Sequence, residues 1–131
     1  MTPEFHAFVA ELFSAFGSVE IRPTFNFDGL YHRGVILGLV SGQRIYLKTD
    51  TTSRGAFDNE RMGPMRYTSR DGAEVAMSYY ELPPRLYDDP EEAADWARQA
   101  FDAALRSSTT KRKARKRERA KSRRTARRSQ P

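Results

Sequence analysis

A chain of 131 residues has room for one small domain and a tail. It holds no cysteine, which excludes disulfides, thiolate metal sites and cysteine nucleophiles, and no apolar run near the ~18 residues that span a bilayer. Its 23 basic and 17 acidic residues give a net charge of +6, but from Thr110 onward stand 12 basic residues and a single acid, Glu118, so the preceding chain carries 11 basic against 16 acidic residues, a net of −5. A mildly acidic body does not hold nucleic acid by bulk charge. The opening MTPEFHAF has an acid and no basic stretch, so it does not read as a secretory signal. Together with the missing cysteines this predicts a cytoplasmic location.

The first element is an amphipathic helix, TPEFHAFVAELFSAFGS. Phe5, Phe8, Val9, Leu12, Phe13 and Phe16 recur at helical spacing on one face. Thr2 suits the N-cap, Pro3 the first helical position and Gly17 the C-terminal stop. The period then falls to two. Strands are predicted over Glu20 to His32 (broken near Pro23 and Gly29), Val35 to Val40 and Arg44 to Lys48, with turns at Arg33-Gly34 and Ser41-Gly42. VILGLV is apolar on both faces and reads as a central, covered strand. Gly38 within it signals a bulge or a close approach. TTSRGAFDNERMG reads as a short second helix, capped by Asp50, Thr51 or Thr52.

Asp71-Gly72 marks a hairpin in MRYTSRDGAEVAMSYYEL, whose second strand sends Val75, Met77 and Tyr79 to one face and Ala76, Ser78 and Tyr80 to the other. The last helix follows PPRLYDDP. Asp89 is its cap, Pro90 its first residue and Glu92 the acid of a capping box. Ala93, Trp96, Ala97, Ala100, Phe101, Ala104 and Leu105 form its apolar stripe, and the alanines predict close packing on a sheet. The order is α-β(3)-α-β(2)-α, an α+β fold with an antiparallel sheet covered by helices. The domain spans residues 1–106. Residues 107–131 form a Lys/Arg-rich tail too polar to fold alone, hence a disordered one.

The stretches IYLKTD (Ile45 to Asp50), AFD (Ala56 to Asp58) and EVAMSYYELPPRLYDDPEEAADWARQA resemble the N-terminal domain of the TfoX/Sxy family, named for bacterial regulators of natural competence. Upstream, Phe25, Gly29, Leu30 and Tyr31 match the family's glycine-rich segment and the strand after it, while Thr24, Asn26 and Phe27 stand where the family usually has Met, Gly and Gly. The resemblance covers about 85 residues, Arg22 to Arg106. It implies the same α-β(3)-α-β(2)-α fold and no enzymatic activity. Longer members carry a helical C-terminal domain, and this chain has its basic tail in that place.

Within the tail, Lys111, Arg112, Lys113, Arg115, Lys116, Arg117, Arg123, Arg124, Arg127 and Arg128 are the candidate phosphate contacts. Neutralising phosphates releases counterions, so such binding weakens steeply with salt. With no aromatic residue in the tail it is indifferent to sequence. The alternative is a solvated tail that only keeps the protein soluble. Tyr31, Tyr79 and Tyr80 suggest an aromatic binding surface, but strand tyrosines more often pack half-buried, and packing is the favoured reading. Trp96 reads as core. Asp88, Asp89, Glu91 and Glu92 are accounted for by helix capping rather than by a metal. His6 and His32 lack ligand spacing. Lys48 and Asp50 end a strand, a good place for binding residues, and equally suit the end of a sheet and the cap of a helix. No nucleophile elbow, P-loop or dinucleotide fingerprint is present, so no cofactor is expected.

The expected protein is therefore a non-catalytic regulatory or interaction domain. Its expected partners are DNA or RNA through the tail, an unidentified protein, and a second copy of itself; a membrane is not among them. The rivals are a pure protein-interaction module and, behind it, a small-ligand binder or enzyme with a pocket between sheet and helices.

Overall fold

The computed structural model describes residues 3–23 and 27–108. Thr24, Phe25 and Asn26, and the basic tail from residue 109, lie outside the described residues. In chain order come α1 (Pro3–Leu12), β1 (Glu20–Pro23), β2 (Asp28–His32), β3 (Val35–Ser41), β4 (Arg44–Lys48), α2 (Arg54–Asn59), β5 (Pro64–Thr68), β6 (Glu74–Glu81), a 3-10 helix (Pro84–Asp88) and α3 (90–108). The strands form one sheet in the order β1-β2-β3-β4-β6-β5, and every neighbouring pair is antiparallel. The fold is the expected α+β arrangement.

The broken strand expected over Glu20 to His32 is two strands, β1 and β2, paired with each other from Glu20 opposite Tyr31 to Pro23 opposite Asp28. Pro23 has no N–H to offer a ladder, which suits it to the end of a strand at the sheet's edge. The β5–β6 hairpin turns at the predicted place: Ser69 N–H donates to the Ala73 carbonyl at 2.8 Å, with Gly72 inside the turn. β6 inserts beside β4, so the short β5 becomes the other edge.

The helices lie on one face. Leu30, Leu37, Ile45 and Leu47 from the sheet pack against Val9, Leu12 and Phe13 of the first helical segment, Phe57 of α2, and Ala93, Ala97 and Ala100 of α3. Trp96 is core, meeting Phe57 edge-on at 4.8 Å between centroids. The buried alanines let α3 sit close to the strands. Its start is held by Asp89, whose carboxylate accepts from Glu92 N–H at 3.1 Å. The second half of the predicted capping box is not made. The Glu92 carboxylate instead meets Arg85, which also reaches Glu60 just past α2 at 2.8 Å. Arg85 thus ties the end of one helix to the start of another.

Gly38 sits at the tightest point of the sheet. The β2–β3 register shifts between Leu30 and Tyr31, leaving Leu37 as the extra residue. A Cβ at Gly38 would stand 2.5 Å from the Tyr46 carbonyl oxygen and 3.2 Å from a Leu47 methyl. Backbone cannot yield there without moving β4. Gly38→Ala should lower the urea midpoint with a loss of about 1–3 kcal/mol, and an unchanged midpoint would show that the strands part freely. Asp89→Ala should cost about 1 kcal/mol by removing the α3 cap, read in the same unfolding experiment.

Candidate binding face of the sheet

Strand alternation decides which side chains escape the core. Leu30, Gly38, Leu47 and Tyr80 form one cross-strand row under the helices, and Gly29, Leu39, Tyr46 and Glu81 form the next row, on the opposite face. Tyr31 opposite Ile36, and Lys48 opposite Tyr79, face the same way as this second row. The helical residues of the main core cluster pack with Leu30, Leu37, Ile45 and Leu47 on the first face, while Ala104 of α3 reaches the second.

On the second face Tyr31, Ile36, Lys48 and Tyr79 line an open groove of about 350 Å³, and Ala104, Ser107 and Ser108 from the last turns of α3 form its wall. Each tyrosine carries a cation. The Arg22 guanidinium lies 5.0 Å from the Tyr31 ring centre and Lys48 Nζ 5.1 Å from that of Tyr79. Lys48 is steadied by donating to Ser78 Oγ at 2.6 Å, and Arg22 by Glu20 at 2.8 Å. Burial raises the Tyr79 hydroxyl pKa, with a smaller contribution from Tyr31, so the Tyr79 ring stays neutral at physiological pH. Further along, a hollow of about 440 Å³ is lined by Phe27, Arg44, Tyr46, Arg66 and Glu81 among others.

The α3 wall is pinned by an ion pair. Arg106 Nε donates to Asp50 Oδ2 at 2.6 Å, and its NH2 group to Oδ1 at 3.2 Å. Asp50 Oδ1 also accepts from Thr52 and Ser53 N–H and so holds the turn before α2, whose N-cap is Ser53 rather than the expected Asp50, Thr51 or Thr52. The Arg106 guanidinium, with help from Ser53, holds the Asp50 carboxyl well below the usual carboxylate range. The Arg106 contact crosses 56 positions of sequence, and no local pattern signals it.

The other candidates fall as follows. Tyr80 packs as expected, edge-on to Phe57 at 5.7 Å between centroids. Tyr31 and Tyr79 are half-buried like most strand tyrosines, yet they share the groove. His32 is structural: Nδ1–H donates to the Ser18 carbonyl at 2.6 Å, and its ring clusters with those of Phe16 and Phe101. His6 Nε2 is 3.6 Å from Asp28. Among the described residues no group of three His, Cys, Asp or Glu could hold a metal ion. The ten tail candidates from Lys111 to Arg128 lie outside the described residues.

The family model of the TfoX N-terminal domain matches residues 11–104. The chain belongs to that family. The match contains every strand, so both groove tyrosines, Lys48 and Asp50 lie inside the family's own domain. TfoX N-terminal domains are not known as catalysts. A search of curated proteins finds no match. Among the described residues no helix is long and apolar enough to cross a membrane.

The depressed Asp50 pKa sets a pH dependence. The group is more acidic folded than unfolded, so its contribution is complete above the unfolded carboxylate range and drains away as pH falls through and below it. Asp50→Asn should flatten the loss of stability between about pH 5 and about pH 2. Carboxyl NMR should find Asp50 still ionised where exposed aspartates have protonated. An Asp50 that titrates with them would mean that the Arg106 bridge is not made in solution.

Proposed function

We propose that this chain is a non-catalytic regulatory and interaction domain of the TfoX type, acting in the cytoplasm. Its Lys/Arg-rich tail, residues 109–131, binds DNA or RNA without regard to sequence. The observation that carries the reading is the segregation of charge: +11 from Thr110 onward against −5 before it. A dense polycation with one acid and no aromatic residue binds phosphate chains by counterion release. Family membership supports the regulatory half of the reading.

The chemistry of the body favours binding over catalysis. The carboxylates of Glu20, Asp50, Glu60 and Asp71 have pKa values moved down by arginine, hydroxyl or backbone partners. General bases and acids that work near neutrality need the opposite shift. The body supplies protein contacts, self-association included. A pure protein-interaction module remains the second reading, since the family match belongs wholly to the folded part.

Truncation after Ser108 separates the two. Full-length protein should bind a random duplex with a log K against log salt slope near −0.9 for each phosphate neutralised, steep if most of the ten candidates engage. The truncated body should lose both the binding and the slope in fluorescence anisotropy. Unchanged duplex binding after truncation would overturn the arm.

A further inference from the structure

We infer that β1, at one edge of the sheet, pairs with β1 of a second copy of this chain in antiparallel register about Ile21, so that Glu20 of each copy meets Arg22 of the other. The inference rests on the proposed self-association of the body and names the surface that carries it.

The first observation is an open edge. β1 ends the strand order and pairs only with β2. Along Glu20–Pro23, Ile21 is half-buried and the other residues are exposed. An edge strand presents backbone N–H and C=O groups to a further strand.

The second is the order of charge on that edge, Glu-Ile-Arg-Pro. A two-fold axis normal to the sheet passes through one residue of β1. Through Glu20 it sets Glu20 against Glu20, and through Arg22 it sets Arg22 against Arg22. Through Ile21 it sets Glu20 against Arg22 twice over, Ile21 against Ile21 and Val19 against Pro23. Unlike charges directly opposed across strands stabilise the pairing and like charges destabilise it. Pro23, which has no N–H to donate, falls at the end of this register, where it costs the ladder least.

The third is the division between the two faces. Glu20 and Arg22 stand opposite Tyr31 and Gly29 of β2, on the helix-free face, whereas Ile21 stands opposite Leu30 and faces the helices. Val19 and Ile21 are partly buried against the core, and each gains an apolar neighbour across the axis. Glu20 and Arg22 are available on the other side. Arg22 meets Glu20 of its own strand at 2.8 Å, with side chains 52% and 62% exposed. Directly opposed Cβ atoms of paired strands stand about 5 Å apart, against about 7 Å for alternate residues of one strand. Exchanging partners across the axis therefore brings the same charges closer and leaves none unpaired.

The other edge offers no such match. Arg66 is the only charged residue of β5, so no register of that strand against itself opposes unlike charges. Joining β1 of one copy to β5 of the next leaves an edge open at each end and builds a chain of copies, whereas β1 on β1 closes at two. The axis normal to the sheet keeps the helices of both copies on one side and opens both tyrosine grooves on the other.

The test is sedimentation equilibrium over a wide range of concentration, on full-length protein treated with nuclease so that bound nucleic acid cannot join two chains. The parent is compared with Glu20→Arg, Arg22→Glu and the exchange Glu20→Arg/Arg22→Glu. The parent should show a reversible monomer–dimer equilibrium. Each single variant should weaken the dimer about tenfold or more, because both symmetric pairs turn from attraction to repulsion. The exchange variant should dimerise like the parent. An equimolar mixture of the two single variants should form a heterodimer as tight as the parental dimer, since every arginine again meets a glutamate. Damage to the fold does not produce that recovery.

A parent that dimerises while the single variants dimerise equally well overturns the β1 interface and leaves self-association to another surface. A parent that stays monomeric overturns the interface and the self-association reading together. Single variants that weaken the dimer but do not recover on mixing also overturn the interface. Should a single variant fail to fold by circular dichroism, hydrogen exchange of the parent decides. Its β1 amides should exchange more slowly as the protein is concentrated, and equal rates in dilute and concentrated samples overturn the inference.

Discussion

Burying one face of the sheet obliges the residues between the buried ones to point away, and the rest of the molecule follows from that. Leu30, Leu37, Ile45 and Leu47 sink under three helices, so Tyr31, Ile36, Tyr46 and Lys48 face outward by the pleat alone. A slip of one residue in β2 or β4 would exchange the two sets. The register is held where a side chain has no room: Gly38 lies against the Tyr46 carbonyl, and Leu37 is accommodated by the bulge beside it. The small residue keeps β3 and β4 close, and the buried alanines of α3 keep the helix on the strands.

The ends of α3 are fastened differently, and each fastening has a consequence. At its start Asp89 caps the first turn while Arg85 bridges Glu92 and Glu60. These groups are partly exposed, so they orient the helix more than they stabilise it. Near its other end Arg106 closes on Asp50, a residue already holding the turn that leads into α2. One carboxylate thus organises the loop after β4 and the turn before the tail. That double use holds the turns of α3 that carry Ala104, Ser107 and Ser108 beside Tyr31, Lys48 and Tyr79.

Charge is distributed unevenly along this small chain. The body is negative overall, and the positive charge of the chain is concentrated after Thr110. Two of the body's eleven cations, Arg22 and Lys48, lie against the groove tyrosines Tyr31 and Tyr79.

Much of this was legible along the chain because it is set by near neighbours. The 3.6 period of α1, the Asp71-Gly72 turn, the Asp89 cap, the alanine stripe of α3 and the isolation of positive charge after Thr110 each depend on residues a few positions apart. The pattern YY at 79 and 80 even shows that the two rings part company, since successive strand residues diverge. Which of them meets solvent was decided only by tertiary structure, through the pairing of β6 with β4 and the choice of face covered by the helices. The same holds for Asp50 with Arg106, for Arg85 with Glu60 and for His32 with Ser18. Contacts of this kind join segments that local periodicity treats as independent, so only the closed sheet brings them together.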